Sequence, residues 1–277
     1  MKIFKSLNAF TAWNNKNAAL KVGLVPTMGA LHQGHISLIE HSVQSCDITV
    51  ISIFVNQLQF SPNEDFQKYP RNINADIKLL KNYNVDAVLI PTQNEMYKKN
   101  FSYQVSDCLL SKKLEGKSRP HFFTGVCTVV CKLFNIVRPT HAYFGMKDVQ
   151  QLYVIKKMVS DLKYQIKIKG VPTVREKNGL AMSSRNKYLS EREKNNAAII
   201  YKTIKMAQKM IVEKSQKIKT IKLKIEKKFL EKNFKIDYVS IASLDNFEEI
   251  NIYQKNKTVI SVAIIYKKVR LIDNVII

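Results

Sequence analysis

A chain of 277 residues, 45% hydrophobic and 24% charged, is long enough to bury a large core and has the balance of an ordinary globular protein. No apolar run approaches the roughly 20 residues that span a bilayer, and the N-terminal stretch MKIFKSLNAFTAWNNKN lacks a signal-peptide core. The four cysteines, Cys46, Cys108, Cys127 and Cys131, form no Cys-x-x-Cys pair, so a disulfide framework is not expected and a cytoplasmic setting is.

Short apolar runs alternate with helical patterns up to about residue 170. Strands are predicted at Val22–Val25, Ile48–Val55, Ala87–Ile90, Ala142–Phe144 and Tyr164–Ile168, and helices at Ile36–Ser45, Asn74–Tyr83, Thr124–Val137 and Val149–Leu162. This alternation predicts a Rossmann-like α/β fold, a doubly wound parallel sheet with helices on both faces. The texture changes after GVPTVREKNGLAMSSRNKYLS. Ser190 and Glu193 form a capping-box signature, Lys-rich helices follow, and extended runs are predicted at Tyr238–Ala242, Thr258–Ile265 and Val269–Ile272. The expected division is a doubly wound first part, 1–172, and a smaller α+β part, 173–277.

The formal charge of +23 raises the question of a polyanion partner. Thirty-eight of the basic residues are Lys and 7 are Arg, whereas bidentate phosphate and base contacts favour Arg. Between Tyr201 and Lys235, twelve lysines and three glutamates alternate with Ile204, Ile211, Ile218, Ile221, Ile225 and Phe229. That pattern is the solvated face of amphipathic helices without interleaved aromatics, so nucleic acid is not the expected partner.

The chain has neither a P-loop nor a Gly-x-Gly-x-x-Gly fingerprint. It does concentrate Gly29, His32, Gly34 and His35 in the loop VPTMGALHQGH between the first apolar strand and a helix, where a doubly wound sheet presents its crevice. Glycines let backbone approach a ligand, a helix N-terminus favours an anion, and two imidazoles meet charge that grows on a phosphate. A zinc site from His32, His35 and His41 is the weaker alternative, since no cysteine or carboxylate stands at ligand spacing.

The stretch Pro-Thr-Met-Gly-Ala-Leu-His-x-Gly-His resembles the His-x-Gly-His signature of the nucleotidyltransferase superfamily. Its extended form is similar to the pantoate–β-alanine ligase (pantothenate synthetase) family. Five further blocks agree in order: SIFVNQLQF, YPRN, CTVVCKLFNIVRP, FGMKDVQQL and VREKNGLAMSSRNKYLS. The resemblance covers about residues 20–190. It implies an ATP-dependent ligase, usually homodimeric, that forms pantoyl-adenylate with release of pyrophosphate in the presence of Mg²⁺ and then passes the acyl group to β-alanine. It also implies roles for individual residues. Met28, Gly29, Ala30, Leu31, His32, Gln33, Gly34 and His35 would form the nucleotide loop, with His35, His32 and Lys147 catalytic. Gly145, Met146, Lys147 and Asp148, Val174 beside the adenine, and Met182, Ser183, Ser184 and Arg185 in a closing loop would complete the ATP site. Gln59, Gln151 and Asn56 would hold pantoate and β-alanine, and Asp76 falls near the family's acidic Mg²⁺ position.

The chain departs from the family pattern at Gln57, Met146, Phe122, Asn178 and Thr140. Met146 in place of a glutamate and Phe122 in place of a histidine predict slower catalysis or weaker ATP binding. Two rival readings are a related nucleotidyltransferase with another substrate and a basic nucleic-acid-binding protein with a vestigial ligase site.

Overall fold

The computed structural model describes residues 1–61, 64 and 66–277. Six strands form one parallel sheet: β1 (Lys2–Phe4), β2 (Val22–Thr27), β3 (Ile48–Ile53), β4 (Ala87–Leu89), β5 (His141–Gly145) and β6 (Lys167–Val171), in the order β1-β4-β3-β2-β5-β6. The helices between them are α1 (Leu7–Asn15), α2 (Gln33–Ser45), α3 (Ile73–Leu80), the short α4 (Gln93–Met96) and α5 (Glu115–Ser118), then α6 (Phe122–Val137) and α7 (Val149–Asp161). Strand β3 is buried at every position and β2 at all but Pro26, as expected for strands covered on both faces. One cluster, centred on Leu24, Val50, Phe134 and Ile155, fills one side of the sheet, and Val25, Ile36, Ile39, Ile51 and Val88 fill the other. The expected α/β class is therefore observed.

From β2 the order runs outward through β3, β4 and β1 on one side and through β5 and β6 on the other, so the order reverses between β2 and β5. Pairing of β2 with β5 stops at Leu24↔Ala142, while pairing with β3 continues to Thr27↔Ile53. Pro26 lies just past that stop. Thr140 N–H donates to Val22 O, which sets Val22, Leu24 and Pro26 facing β5. A residue that cannot donate to a ladder thus stands where the ladder has ended and a crevice opens.

Beyond Val171 the chain builds helices α8 (Glu191–Ala197), α9 (Ile199–Val212) and α10 (Ile218–Leu230), and then the antiparallel strands β7 (Lys235–Ser243), β8 (Thr258–Tyr266) and β9 (Val269–Ile276). The predicted capping box at α8 forms, with Ser190 and Glu193 bonding reciprocally. One face of this sheet packs Ile241, Ile260, Val262 and Leu271 on Ile204, Ile221, Ile225 and Phe229 of the Lys-rich helices. The other face adds Ala242 and Val259 to the cluster around Leu24 and Phe134. Lys202, Lys205, Lys209, Lys219, Lys224 and Lys227 are exposed, which is the amphipathic arrangement read from the sequence. No helix among the described residues is long and apolar enough to cross a membrane.

Three differences from the predicted elements have local causes. Tyr164 ends a turn, its N–H donating to Val159 O and its ring packing on Phe134, so β6 starts at Lys167 and not at Tyr164. Strand β9 runs four residues past Ile272, through Asp273 and Asn274, which the hydrophobic pattern ended too soon. The N-terminal β1 and α1 are unpredicted: β1 pairs with β4, and α1 buries Phe10 against the main core.

Candidate active site

A cavity of about 780 Å³ opens at the carboxyl ends of β2, β3 and β5, walled on its far side by residues 172–188 and 267–273. This is the switch point of the sheet, where open α/β sheets place their ligands.

The loop after β2 is held from behind. Asp76, at the start of α3 and 4% exposed, accepts from Ala30 N–H at 2.9 Å and Leu31 N–H at 2.8 Å. Gly29 (φ +80°) and Ala30 (φ +51°) take left-handed backbone to make that turn. Asp76 therefore lies beneath the loop and outside the main cavity, which corrects the expectation of a metal position there. Gly29, Ala30 and Leu31 likewise form the rear of the loop, and Gln33 is exposed outside the lining. Of the predicted nucleotide loop, Met28, His32, Gly34 and His35 face the cavity.

Helix α2 starts earlier than expected because a histidine caps it. His32 Nδ1 accepts from Gly34 N–H at 3.1 Å, and His35 Nδ1 accepts in return from His32 N–H at 3.3 Å. The Gly34 N–H is thus committed to the imidazole and not aimed at a ligand, contrary to expectation. A Cβ at Gly34 would stand 2.9 Å from His32 Cε1, so a side chain there would push the capping ring aside. With both Nδ1 atoms accepting, each neutral ring carries its proton on Nε2. The rings lie 4.1 Å apart between centroids. Burial, then Lys147 and Lys187, push His32 down to about 4; burial, then His32 and Lys147, push His35 down to about 3. Both imidazoles are therefore neutral donors at pH 7. His41 sits on an exposed part of α2 with its ring on Ser37 O, and no three His, Cys, Asp or Glu residues converge among the described residues. The zinc alternative falls with that geometry.

After β3, the side chain of Asn56 is saturated and 1% exposed. It donates to Gly125 O and Gln59 Oε1 and accepts from Tyr97 OH at 2.8 Å. Its task is to orient Gln59, whose Nε2 lies 3.0 Å from Met28 Sδ at the cavity wall. After β5, Gly145, Lys147, Asp148 and Gln151 line the cavity. Lys147 Nζ lies 3.9 Å from Asp148 Oδ2. Met146 does not line it. A Cβ on Gly170 would meet the Met146 side chain at 3.3 Å, so the thioether packs back on β6 and the main core. Met146 is therefore corrected from a nucleotide contact to a packing residue.

Val174, Met182, Ser183, Ser184 and Arg185 form the opposite wall. Ser184 Oγ donates to Ala30 O at 3.3 Å, which ties this wall to the first loop. Asn178, another departure, accepts from Leu180 N–H and so stabilises the turn at Gly179.

Sequence reasoning missed an ionic system on the same cavity. Arg119 binds Glu64 twice, at 2.6 and 2.5 Å, reaches Glu115 at 3.1 Å and donates to Gln59 O at 3.1 Å. Phe122 supports it from below, with the guanidinium 3.9 Å from the ring centroid. Arg270 of β9 takes Glu115 bidentately at 2.7 and 2.9 Å and also holds Asp237. The only cue was that Arg119 is one of just 7 arginines in the chain.

Fold and cavity together define an α/β enzyme with its cleft at the switch point of a parallel sheet. Residues 2–276 match the family model described as pantoate-beta-alanine ligase, and the chain belongs to that family. It is 47% identical over 263 residues to the pantothenate synthetase of Caldicellulosiruptor bescii, covering 95% of this chain and 93% of that protein. It is 43% identical to that of Thermosipho melanesiensis, covering 100% and 99%. The crystal structure of pantothenate synthetase from Thermus thermophilus superposes with a TM-score of 0.92 at 37% identity over 99% of both chains. That of pantoate-beta-alanine ligase from Francisella tularensis, complexed with beta-gamma ATP and beta-alanine, gives 0.82 at 35% identity, covering 100% of this chain and 97% of that one.

Proposed function

We propose that this chain condenses (R)-pantoate with β-alanine at the expense of ATP, through pantoyl-adenylate, releasing pyrophosphate and AMP. The observation that carries the reading is the convergence of His32, His35 and Lys147 with Gln59 and Gln151 on one cavity at the sheet's switch point. In the first step a pantoate carboxylate oxygen bonds to the α-phosphorus and the bond to pyrophosphate breaks. Negative charge accumulates on the phosphate oxygens, and fixed donors stabilise it without reorganising. Lys147 supplies a cation and the Nε2–H groups of His32 and His35 supply neutral donors. Gln59, aligned by Asn56, and Gln151 hold the pantoate hydroxyls and carboxylate with amides that both donate and accept. In the second step the β-alanine amine bonds to the acyl carbon, the bond to AMP breaks and the amine gives up a proton. Here the protein need only orient its reactants.

The described residues do not build a cage for Mg²⁺. Asp76 is committed to the loop, Glu64, Glu115 and Asp273 are held by arginines, Asp148 lies 3.9 Å from Lys147 Nζ, and no three His, Cys, Asp or Glu residues gather among the described residues. Any Mg²⁺ would arrive on the triphosphate, as this ion usually does, and no step here depends on a metal ligand from the chain. We further propose that residues 1–172 and 173–277 act as halves closing on the ATP, with Met182–Arg185 over the phosphates, and that the enzyme is a cytoplasmic homodimer, as the family resemblance implies.

The test is pyrophosphate release with ATP and Mg²⁺, with and without pantoate. Release that requires pantoate, followed by AMP formation that requires β-alanine, is expected. Release indifferent to pantoate would leave a nucleotidyltransferase with another substrate.

A further inference from the structure

Strand β9 carries two adjacent polar residues into the closely packed region between its sheet and the cavity. Asp273 accepts both Nη atoms of Arg175, at 2.6 and 2.9 Å, and Arg175 in turn lies 3.5 Å from the ring centroid of Tyr201. Asn274, 7% exposed, points to the other face of the strand. Its Nδ2 donates to Met146 O at 3.0 Å and to Lys147 O at 2.7 Å. Ser261, directly opposite on β8, and Ser240, opposite that on β7, lie in the same row, and their buried hydroxyls have no partner among the described residues. Of the three, Asn274 is the one that reaches across to the first half of the chain.

We propose that Asn274 is a positioning residue for Lys147. The argument rests on the reading that Lys147 contacts the phosphates. The turn Met146–Asp148 is a single 3₁₀ turn between β5 and α7, a short device with weak internal bonding. Its two successive carbonyls face the sheet of the second half. One amide gripping both fixes the direction in which the peptide of Lys147 projects its side chain. Since β9 also holds Arg175 through Asp273, one strand sets both cavity walls, the one bearing Lys147 and the one bearing Val174 and Met182.

The experiment compares Asn274→Ala and Asn274→Ser, the latter matching the serines beside it and so disturbing packing least. Neither spans two carbonyls. In each folded variant kcat/KM for ATP in pantoate-dependent pyrophosphate release should fall about tenfold, the scale of one net hydrogen-bond pair, with KM for pantoate within about twofold of the parent. In a Lys147→Ala background the same change should cost less than about twofold, since a residue acting through Lys147 has nothing left to position. Full ATP kinetics in a folded Asn274 variant with only a lowered melting temperature would make the residue structural and overturn the proposal. So would equal losses with and without Lys147. Failure of the underlying reading looks different: Lys147→Ala would then be fully active, or the parent enzyme would release no pyrophosphate.

Discussion

Both imidazoles at the head of α2 use Nδ1 to close the helix cap and keep Nε2–H for the cavity, so cap and site are one object. His35→Ala removes a donor aimed at developing phosphate charge. It should lower the rate of pyrophosphate release by about 10²-fold or more while circular dichroism stays that of the parent; a near-parental rate would refute the assignment. Gly34→Ala tests the cap itself. Alanine raises helix propensity by about 0.5–1 kcal/mol, yet its Cβ would collide with the His32 ring. Melting temperature should hardly change and activity should drop, a combination that a plain helix-start glycine would not give. The histidines also set a pH response. Their folded values, about 4 and about 3, lie below the 6.5 of an unperturbed histidine. Between those limits the unfolded chain binds protons that the folded chain refuses, so stability falls as pH drops from about 6.5 towards 4 and 3. Denaturant titrations across that window should show a slope reduced by about one proton in His35→Asn. An unchanged slope would mean that the ring is not buried as a neutral donor.

The loop between β2 and α2 owes its shape to an element forty-odd residues away, because α3 brings the Asp76 carboxylate under two consecutive backbone donors. Hydrogen bonds to a charged group contribute about 1.5–3 kcal/mol each, so Asp76→Ala should destabilise the protein by several kcal/mol and release the loop. Asp76→Asn, which keeps one acceptor, should fall between. Thermal melts with and without Mg²⁺ separate this from a metal role: loss of stability independent of Mg²⁺ supports the loop strut, whereas altered Mg²⁺ dependence at unchanged stability would restore the metal position. The same contrast marks what a sequence discloses. Strands β2, β3 and β4 could be read because apolar runs buried on both faces leave a signal in every residue, and His32 and His35 because their type is scarce and their spacing tight. Strand β6, Lys-Ile-Lys-Gly-Val on an edge, has no such run, and its start was placed three residues early. Asp76 could be noticed but not understood, since its partners are backbone groups brought close only by tertiary folding. Met146 and Phe122 looked like defects when compared position by position. In the fold one packs on β6 and the other supports Arg119.

Across the molecule, the second half, which offered few motifs, supplies one wall of the cavity and holds the first half through charge. Arg270 on β9 and Arg119 after α5 share Glu115, and Arg119 continues to Glu64 and to the backbone of Gln59. Glu115 is buried, so removing either arginine leaves a carboxylate with half its compensation. A fully buried pair broken on one side costs about 3–5 kcal/mol. Because the Arg270 side chain is 24% exposed, Arg270→Met should cost less, about 1–3 kcal/mol after allowance for solvent screening. Replacing both partners with apolar groups should recover part of that loss, since desolvation of the carboxylate disappears along with its attraction. The functional effect should not recover in parallel. Without Glu115, Arg119 keeps Glu64 but loses its link to β9, and Gln59 loses a support that passes between the halves. Arg270→Met/Glu115→Leu is therefore expected to melt above Arg270→Met alone, yet to show a raised KM for pantoate in pyrophosphate release. A double variant with both stability and pantoate KM at parental values would confine the network to folding, and a double variant less stable than the single one would mean that the ion pairs themselves hold the halves together.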